Sequence, residues 1–175
     1  MDVKKTIEKR RSIRSYKNEK LSNEIIKELI EAVRLAPSGN NAQPSRYYIV
    51  KDDETKDLLR NNEIIRDEWV YNAPAIIVCC ADSNAYTKFV EGWDEPNEIR
   101  AIRDLSIASS YLVLRATELG LGTCYCGWIK KEEIKTLLNI PKEYVVPYVI
   151  AVGYPNENPK QRPRKKFDEI LLNEL

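Results

Sequence analysis

Apolar residues recur along this chain at two spacings, three-to-four and two, and the switches between them outline its elements. Asp2 has the side chain to cap a short helix through about Lys9, which stops where Arg10, Arg11, Ser12, Ile13 and Arg14 break the apolar spacing. Ser22 caps a stronger helix, with Glu24 near the positive end of its dipole and Ile25, Leu29, Val33 and Ala36 on one face. Pro37 ends it, because a residue before proline is pushed out of the helical region. Residues Pro37 to Pro44 read as a loop of small and amide side chains, with a strand next at about Tyr47 to Val50. A charged helix starts at Asp53 and runs towards Asn61, and the unbroken apolar run Ala75 to Ala81 has the length and branching of a buried strand. Asn84 to Glu98 shows no clean period and reads as a mobile or substrate-facing excursion.

From about Ile99 to Leu119 the spacing of Ile102, Leu105, Ala108, Leu112 and Leu119 predicts a long, largely buried helix, ended by Gly120 as a left-handed cap. Gly122 to Trp128 reads as a short strand entering a turn, and Lys131 to Asn139 as a helix stopped by Pro141. Val145 to Val152 is the last strand, and its Pro147 points to an edge or bulged position. Past Gly153, Pro155, Pro159 and Pro163 alternate with charged residues through Lys166, before a short amphipathic end at Phe167 to Leu175. Such a tail builds no core of its own, so if ordered it lies on another surface.

Helices and strands interleave, but the strands are few and no glycine-rich fingerprint follows the first. That argues against a dinucleotide Rossmann fold and for a helix-flanked sheet of the α+β class. At 175 residues the chain suits one domain, with no internal repeat or linker. Its 28 Lys and Arg against 27 Asp and Glu leave a net charge of +1, without the field of a dedicated nucleic-acid binder, so anion attraction must be local. Neither a secretory signal nor an apolar run near the ~20 residues that span a bilayer is present, and the cytoplasm is the expected location. The four cysteines, Cys79, Cys80, Cys124 and Cys126, lie in strand-like apolar segments at spacings unlike those of metal sites, and are expected to be buried and reduced. The chain contains no histidine, which removes Ser-His-Asp and Cys-His machinery and leaves the chemistry to carboxylates or a cofactor.

Four groups have chemical potential. In an extended stretch Arg10, Ser12 and Arg14 face one way, and guanidinium forks with a hydroxyl suit a phosphate, while a solvated basic turn is the plainer reading of these five residues alone. Ser38, Asn41 and Gln43 offer neutral donors and acceptors that match the edge of a flat heterocycle such as a flavin pyrimidine ring, or simply a polar connection. Cys126 and Gly127 form a turn where backbone could approach a ligand closely. Arg162 and Arg164, with Lys160, Lys165 and Lys166, make a second basic cluster or a solvated tail.

Their order resembles that of the nitroreductase family of flavoenzymes over nearly the whole chain. The marks are Arg10-Arg11-Ser12-Ile13-Arg14-Ser15-Tyr16, then Ala36-Pro37-Ser38 with Asn41 and Gln43-Pro44, Asp104 with Ala108, Gly120-Leu121-Gly122-Thr123-Cys124, and Gly153-Tyr154-Pro155 leading to Arg162-Pro163-Arg164-Lys165. The resemblance implies a mostly antiparallel central sheet flanked by helices, in a homodimer with one FMN at each end of the subunit interface. It implies that Arg10, Ser12 and Arg164 hold the phosphate with Arg11 and Arg162 close by, that Arg14 sits near flavin N1 and the C2 carbonyl, and that Cys126 and Gly127 approach N5. Pro37, Ser38 and Asn41 would come from the partner, with Gln43 supporting the loop, and residues 154–175 would embrace that partner. Two positions depart from the pattern: Ser45 stands where Trp is frequent, and Cys126 where glutamate is frequent.

The implied activity is hydride transfer from NAD(P)H through flavin N5 to a nitroaromatic, quinone or similar flat acceptor, with no catalytic side chain and no metal. Tyr86, Phe89 and Trp93 are candidates for stacking on the acceptor. The alternatives are a dehalogenating or flavin-degrading branch of the same fold, a non-catalytic flavin-binding or redox-sensing module, and, from the Arg-rich ends, nucleic-acid binding.

Overall fold

In the computed structural model, which describes residues 2–87 and 95–171, a four-stranded antiparallel sheet is packed on both faces by helices. The strands are β1 (Ser45–Val50), β2 (Ala75–Asp82), β3 (Gly122–Cys126) and β4 (Tyr144–Gly153), in the spatial order β1-β2-β4-β3. The helices are α1 (Val3–Lys9), α2 (Asn23–Arg34), α3 (Asp53–Asn61), α4 (Asn97–Glu118) and α5 (Lys131–Leu137).

Local chemistry sets the helix starts. The side chains of Asp2, Ser22 and Asp52 accept from the backbone N–H groups of Lys5, Ile25 and Thr55 at 2.9, 3.3 and 2.7 Å, satisfying donors that a helix leaves open. Gly120 follows α4 with φ of +78°, the left-handed cap expected of it.

Strand β2 shows why the sheet is buried on both faces. Ile76, Val78 and Cys80 join Leu59, Val70 and Ile134 on one side, while Ala75, Ile77, Cys79 and Ala81 join Leu29, Leu105 and Leu112 on the other. Alternate side chains of a strand point to opposite faces, so an unbroken apolar run is the signature of a strand covered twice. All four cysteines are buried and unpaired.

Of the two placements that Pro147 suggested, strand β4 takes the bulged one. It is not an edge strand: it lies between β2 and β3. The ladder accommodates the proline by a register shift, with Cys79 opposite Tyr148 but Ala81 opposite Val145, and pairing with β3 reaches no further than Val149. Pro147 therefore sits in a bulge on one side and beyond the neighbouring strand's end on the other, where its missing N–H costs no ladder bond.

The segment after Gly153 folds first onto its own chain. Lys17 N–H donates to the Tyr154 carbonyl and Asn156 N–H to the Ser15 carbonyl, both at 2.9 Å. The Glu157 carboxylate accepts the N–H groups of Arg14 and Ser15. Further on, Phe167 and Ile170 remain 79% and 69% exposed. No helix among the described residues is long and apolar enough to cross a membrane.

Candidate functional site

The first basic segment is fixed by packing, which frees its charges to face outward. Ile13 is buried against β3, its N–H donating to the Thr123 carbonyl at 2.9 Å, with Ser12 bridged alongside Thr123. Any Cβ on Gly122 would meet Ile13 Cγ1 at 2.6 Å, so that glycine is what admits the isoleucine. With Ile13 turned inward, Arg10, Ser12 and Arg14 line a cavity of about 200 Å³ whose opposite wall is Lys160, Arg162 and Arg164, with Arg11 and Pro159 completing it. The two basic clusters, more than 140 residues apart in the chain, share one concavity because Glu157 and its neighbours tie the tail to residues 14–17.

Among the described residues no carboxylate forms an ion pair with Arg10, Arg11, Arg14, Arg162 or Arg164. The Glu157 carboxylate is turned to the backbone N–H groups of Arg14 and Ser15. Arg11 turns back onto α1, donating to the Glu8 and Arg10 carbonyls at 2.6 and 2.8 Å, and Arg164 donates to the Arg162 carbonyl at 3.1 Å. Uncompensated guanidinium groups around a small concavity repel one another, and a phosphate relieves that repulsion with charge-assisted bonds.

Further along β3 lies the second group. The Cys126 thiol donates to Asp67 Oδ2 at 3.1 Å, and burial, then that hydrogen bond, push its pKa up to about 12. It is therefore a neutral thiol at physiological pH. The same connection carries Trp69, over whose ring the Arg14 guanidinium lies 5.7 Å from the centroid. Asp67 and Trp69 thus link the cradle to the Cys126–Gly127 turn. Neither stood out in the sequence, because they belong to a short aperiodic connection whose partners are set by the fold.

The amide loop is built separately. Gly39 N–H donates to Asp104 Oδ2 at 2.6 Å, and Gln43 N–H to Ser38 Oγ at 2.9 Å. Asn40, Asn41 and Gln43 all have positive φ, at 53°, 55° and 48°, a conformation that disfavours side-chain-bearing residues and that the surrounding bonds must impose. Pro37, Ser38 and Gln43 line a cavity of about 340 Å³ with Tyr47 and Ala108, and Asn41 lies exposed beside them. That cavity shares no lining residue with the basic one, so a single chain does not bring the amide loop to the cradle.

Tyr86 is packed, which corrects its assignment to an acceptor surface. It is 6% exposed, its hydroxyl donates to Asp104, and the Arg100 guanidinium lies 4.1 Å from its ring centroid. No ring face is left for a ligand. Phe89 and Trp93 lie outside the described residues.

Sequence comparison identifies the framework. The model of the nitroreductase family matches residues 7–65 and 57–154, which takes in the first basic segment, the amide loop and β3. The chain belongs to the nitroreductase family. A Methanothermobacter thermautotrophicus protein provisionally named NADH dehydrogenase/NAD(P)H nitroreductase is 33% identical over 177 residues, covering 98% of this chain and 87% of that protein. A Bacillus subtilis protein named FMN reductase [NAD(P)H] is 31% identical, covering 93% of this nitroreductase-family chain and 70% of its own length. The structure of an FMN-dependent nitroreductase from Clostridium difficile R20291 superposes with a TM-score of 0.74 at 30% identity, covering 90% of each chain.

Proposed function

We propose that this nitroreductase-family protein is an FMN-dependent oxidoreductase, acting as a homodimer, that passes hydride from NAD(P)H to a flat acceptor such as a nitroaromatic or a quinone. The observation that carries the reading is the cationic cradle, built from two distant basic segments with no carboxylate paired to its arginines among the described residues, on a strand that leads to an unencumbered glycine. FMN, when bound, supplies reversible hydride acceptance at its N5.

The chain's own residues do the rest. Arg10, Ser12, Arg162 and Arg164 bind the phosphate as a set of forks around a hydroxyl. From Thr123, beside Ser12, to Gly127 is four strand steps, about 13 Å at ~3.3 Å each, so β3 sets the reach from the phosphate to the fused ring. Arg14, seated over Trp69, holds a fixed positive charge where negative charge develops. Cys126 stays protonated and adds no competing anion beside Gly127.

Ser38 and Asn41 complete the site from a second copy. This is supported by the separation of the two cavities within one chain and by apolar side chains left exposed on α1 and along α4: Val3, Ile7, Ile99, Ile107 and Tyr111 are 72%, 56%, 53%, 38% and 42% exposed. A monomer gains by covering such a surface.

The test is an absorbance spectrum of the purified protein followed by anaerobic titration with NADH and then NADPH. Flavin bands bleached by the nicotinamide and restored by a quinone are the expected result. The double variant R10A/R164A should lose FMN affinity at least ~100-fold, as two charge-assisted contacts of ~1.4 kcal/mol or more are removed. Unchanged retention would remove the phosphate assignment.

A further inference from the structure

A cavity of about 950 Å³ lies apart from the basic cradle and shares no lining residue with it. It opens beside Gly127 and continues past Trp128, Arg66 and Lys130 to Arg60 and Tyr71. Its floor is rigid: Arg66 N–H donates to the Trp128 carbonyl at 2.9 Å, Lys130 N–H to the Ile64 carbonyl at 2.8 Å, and Ile65 bridges Ile129 between them. These bonds hold Trp128 67% exposed, with the Arg66 guanidinium 4.3 Å from its ring centroid.

The charges around this floor do not balance. Arg60 is held by Glu68 at 2.8 Å, and Lys130 lies 3.9 Å from Glu63. Arg66 has no carboxylate partner among the described residues. An exposed indole fixed under a guanidinium without a counter-anion is a platform for a ligand that is both planar and anionic. A nucleotide combines those properties, whereas a neutral quinone lacks the second.

We propose that Arg66 and Trp128 form the subsite for the phosphate and adenine end of the reduced nicotinamide dinucleotide. The proposal rests on the NAD(P)H-linked reading above and deepens it. Gly127 borders both the turn at the end of β3 and this cavity, so a donor whose reacting ring lies at the turn extends its remaining half over Trp128. The contacts are remote from the reacting atoms and hold ground state and transition state alike, so their removal raises KM and leaves kcat nearly as it was.

The experiment compares wild type with Arg66→Gln and Trp128→Leu, both at exposed positions that do not threaten the fold. Each variant is expected to raise KM for NADH about tenfold, the loss of one stacking or charged contact, with the quinone KM and the FMN Kd unchanged. Calorimetric titration with 5′-AMP, on protein with and without FMN, should show binding that weakens by about the same factor in both variants. Unchanged NADH KM and AMP binding would overturn the subsite. A rise confined to the quinone KM would reassign the cavity to the acceptor, and a rise in FMN Kd would make it part of the flavin wall. A wild type that holds no FMN or leaves NADH unoxidised would instead defeat the parent reading, and the AMP titration would still decide the cavity by itself.

Discussion

Gly127 is a glycine that the folded chain does not itself require. Its φ is not positive, and a Cβ placed on it would meet nothing nearer than the Pro147 carbonyl oxygen at 4.0 Å. Gly122 and Gly153, by contrast, would drive a Cβ to 2.6 Å from Ile13 and 2.4 Å from Pro74. If the open side of Gly127 serves a bound ring, Gly127→Ala should keep its urea midpoint yet lose FMN affinity by about tenfold or more, ~1.4 kcal/mol of contact. Equal flavin affinity in the two proteins would show that the space is incidental. The thiols make a second residue-scale prediction. Burial raises Cys80 and Cys126 from 9.0 to about 12, so between these values the unfolded chain has released protons that the folded chain keeps. Their contribution to stability is complete below about pH 9 and is lost as pH rises towards about 12. Urea midpoints measured at intervals across that alkaline range should fall steadily, and a flat profile would mean that the thiols ionise in place. The burial of these cysteines was legible in the sequence; the bond from Cys126 to Asp67 was not, since 59 residues separate them.

At the scale of elements, one buried carboxylate does the joining. Asp104, 3% exposed on α4, accepts from Gly39 N–H in the amide loop and from the Tyr86 hydroxyl ahead of the helix. Asp104→Ala leaves both donors short of a partner and should cost about 2 kcal/mol of unfolding free energy by urea titration, with faster amide exchange at Gly39. A loss below ~0.5 kcal/mol would mean that the loop is held by its turns alone. Helices α1 to α5 and all four strands were readable because periodicity and caps are local signals. Pro147 announced an edge or a bulge but could not say which, because a proline's tolerance is decided by what lies opposite it; the β4 bulge satisfies it in the middle of the sheet. Tyr86 misled for want of such a mark: nothing local to an aromatic in an aperiodic stretch says whether it is offered to a ligand or closed under Arg100.

For the whole molecule, the basic clusters were visible as composition, but their meeting was not. It depends on the antiparallel contact of residues 14–17 with 154–157, which leaves no period in the sequence. The amide loop remains apart from that meeting point within one chain, and in the proposed dimer a second chain supplies it, with exposed apolar residues of α1 and α4 as the candidate interface. Ile107→Glu, placed on that surface, should halve the mass seen by light scattering and lower flavin retention together. A wild-type monomer that keeps its flavin would end the two-copy account.

Arg14 and Glu157 stand 143 residues apart. During synthesis the first wall of the cradle therefore exists long before the second, and a nascent chain has no jaw to close on an anion. On the proposed assignment, loading waits for the second wall, so a cell short of riboflavin would accumulate empty protein whose two basic segments are joined by backbone bonds and the Glu157 carboxylate. Those segments are where proteolysis should distinguish the starved molecule from the supplied one.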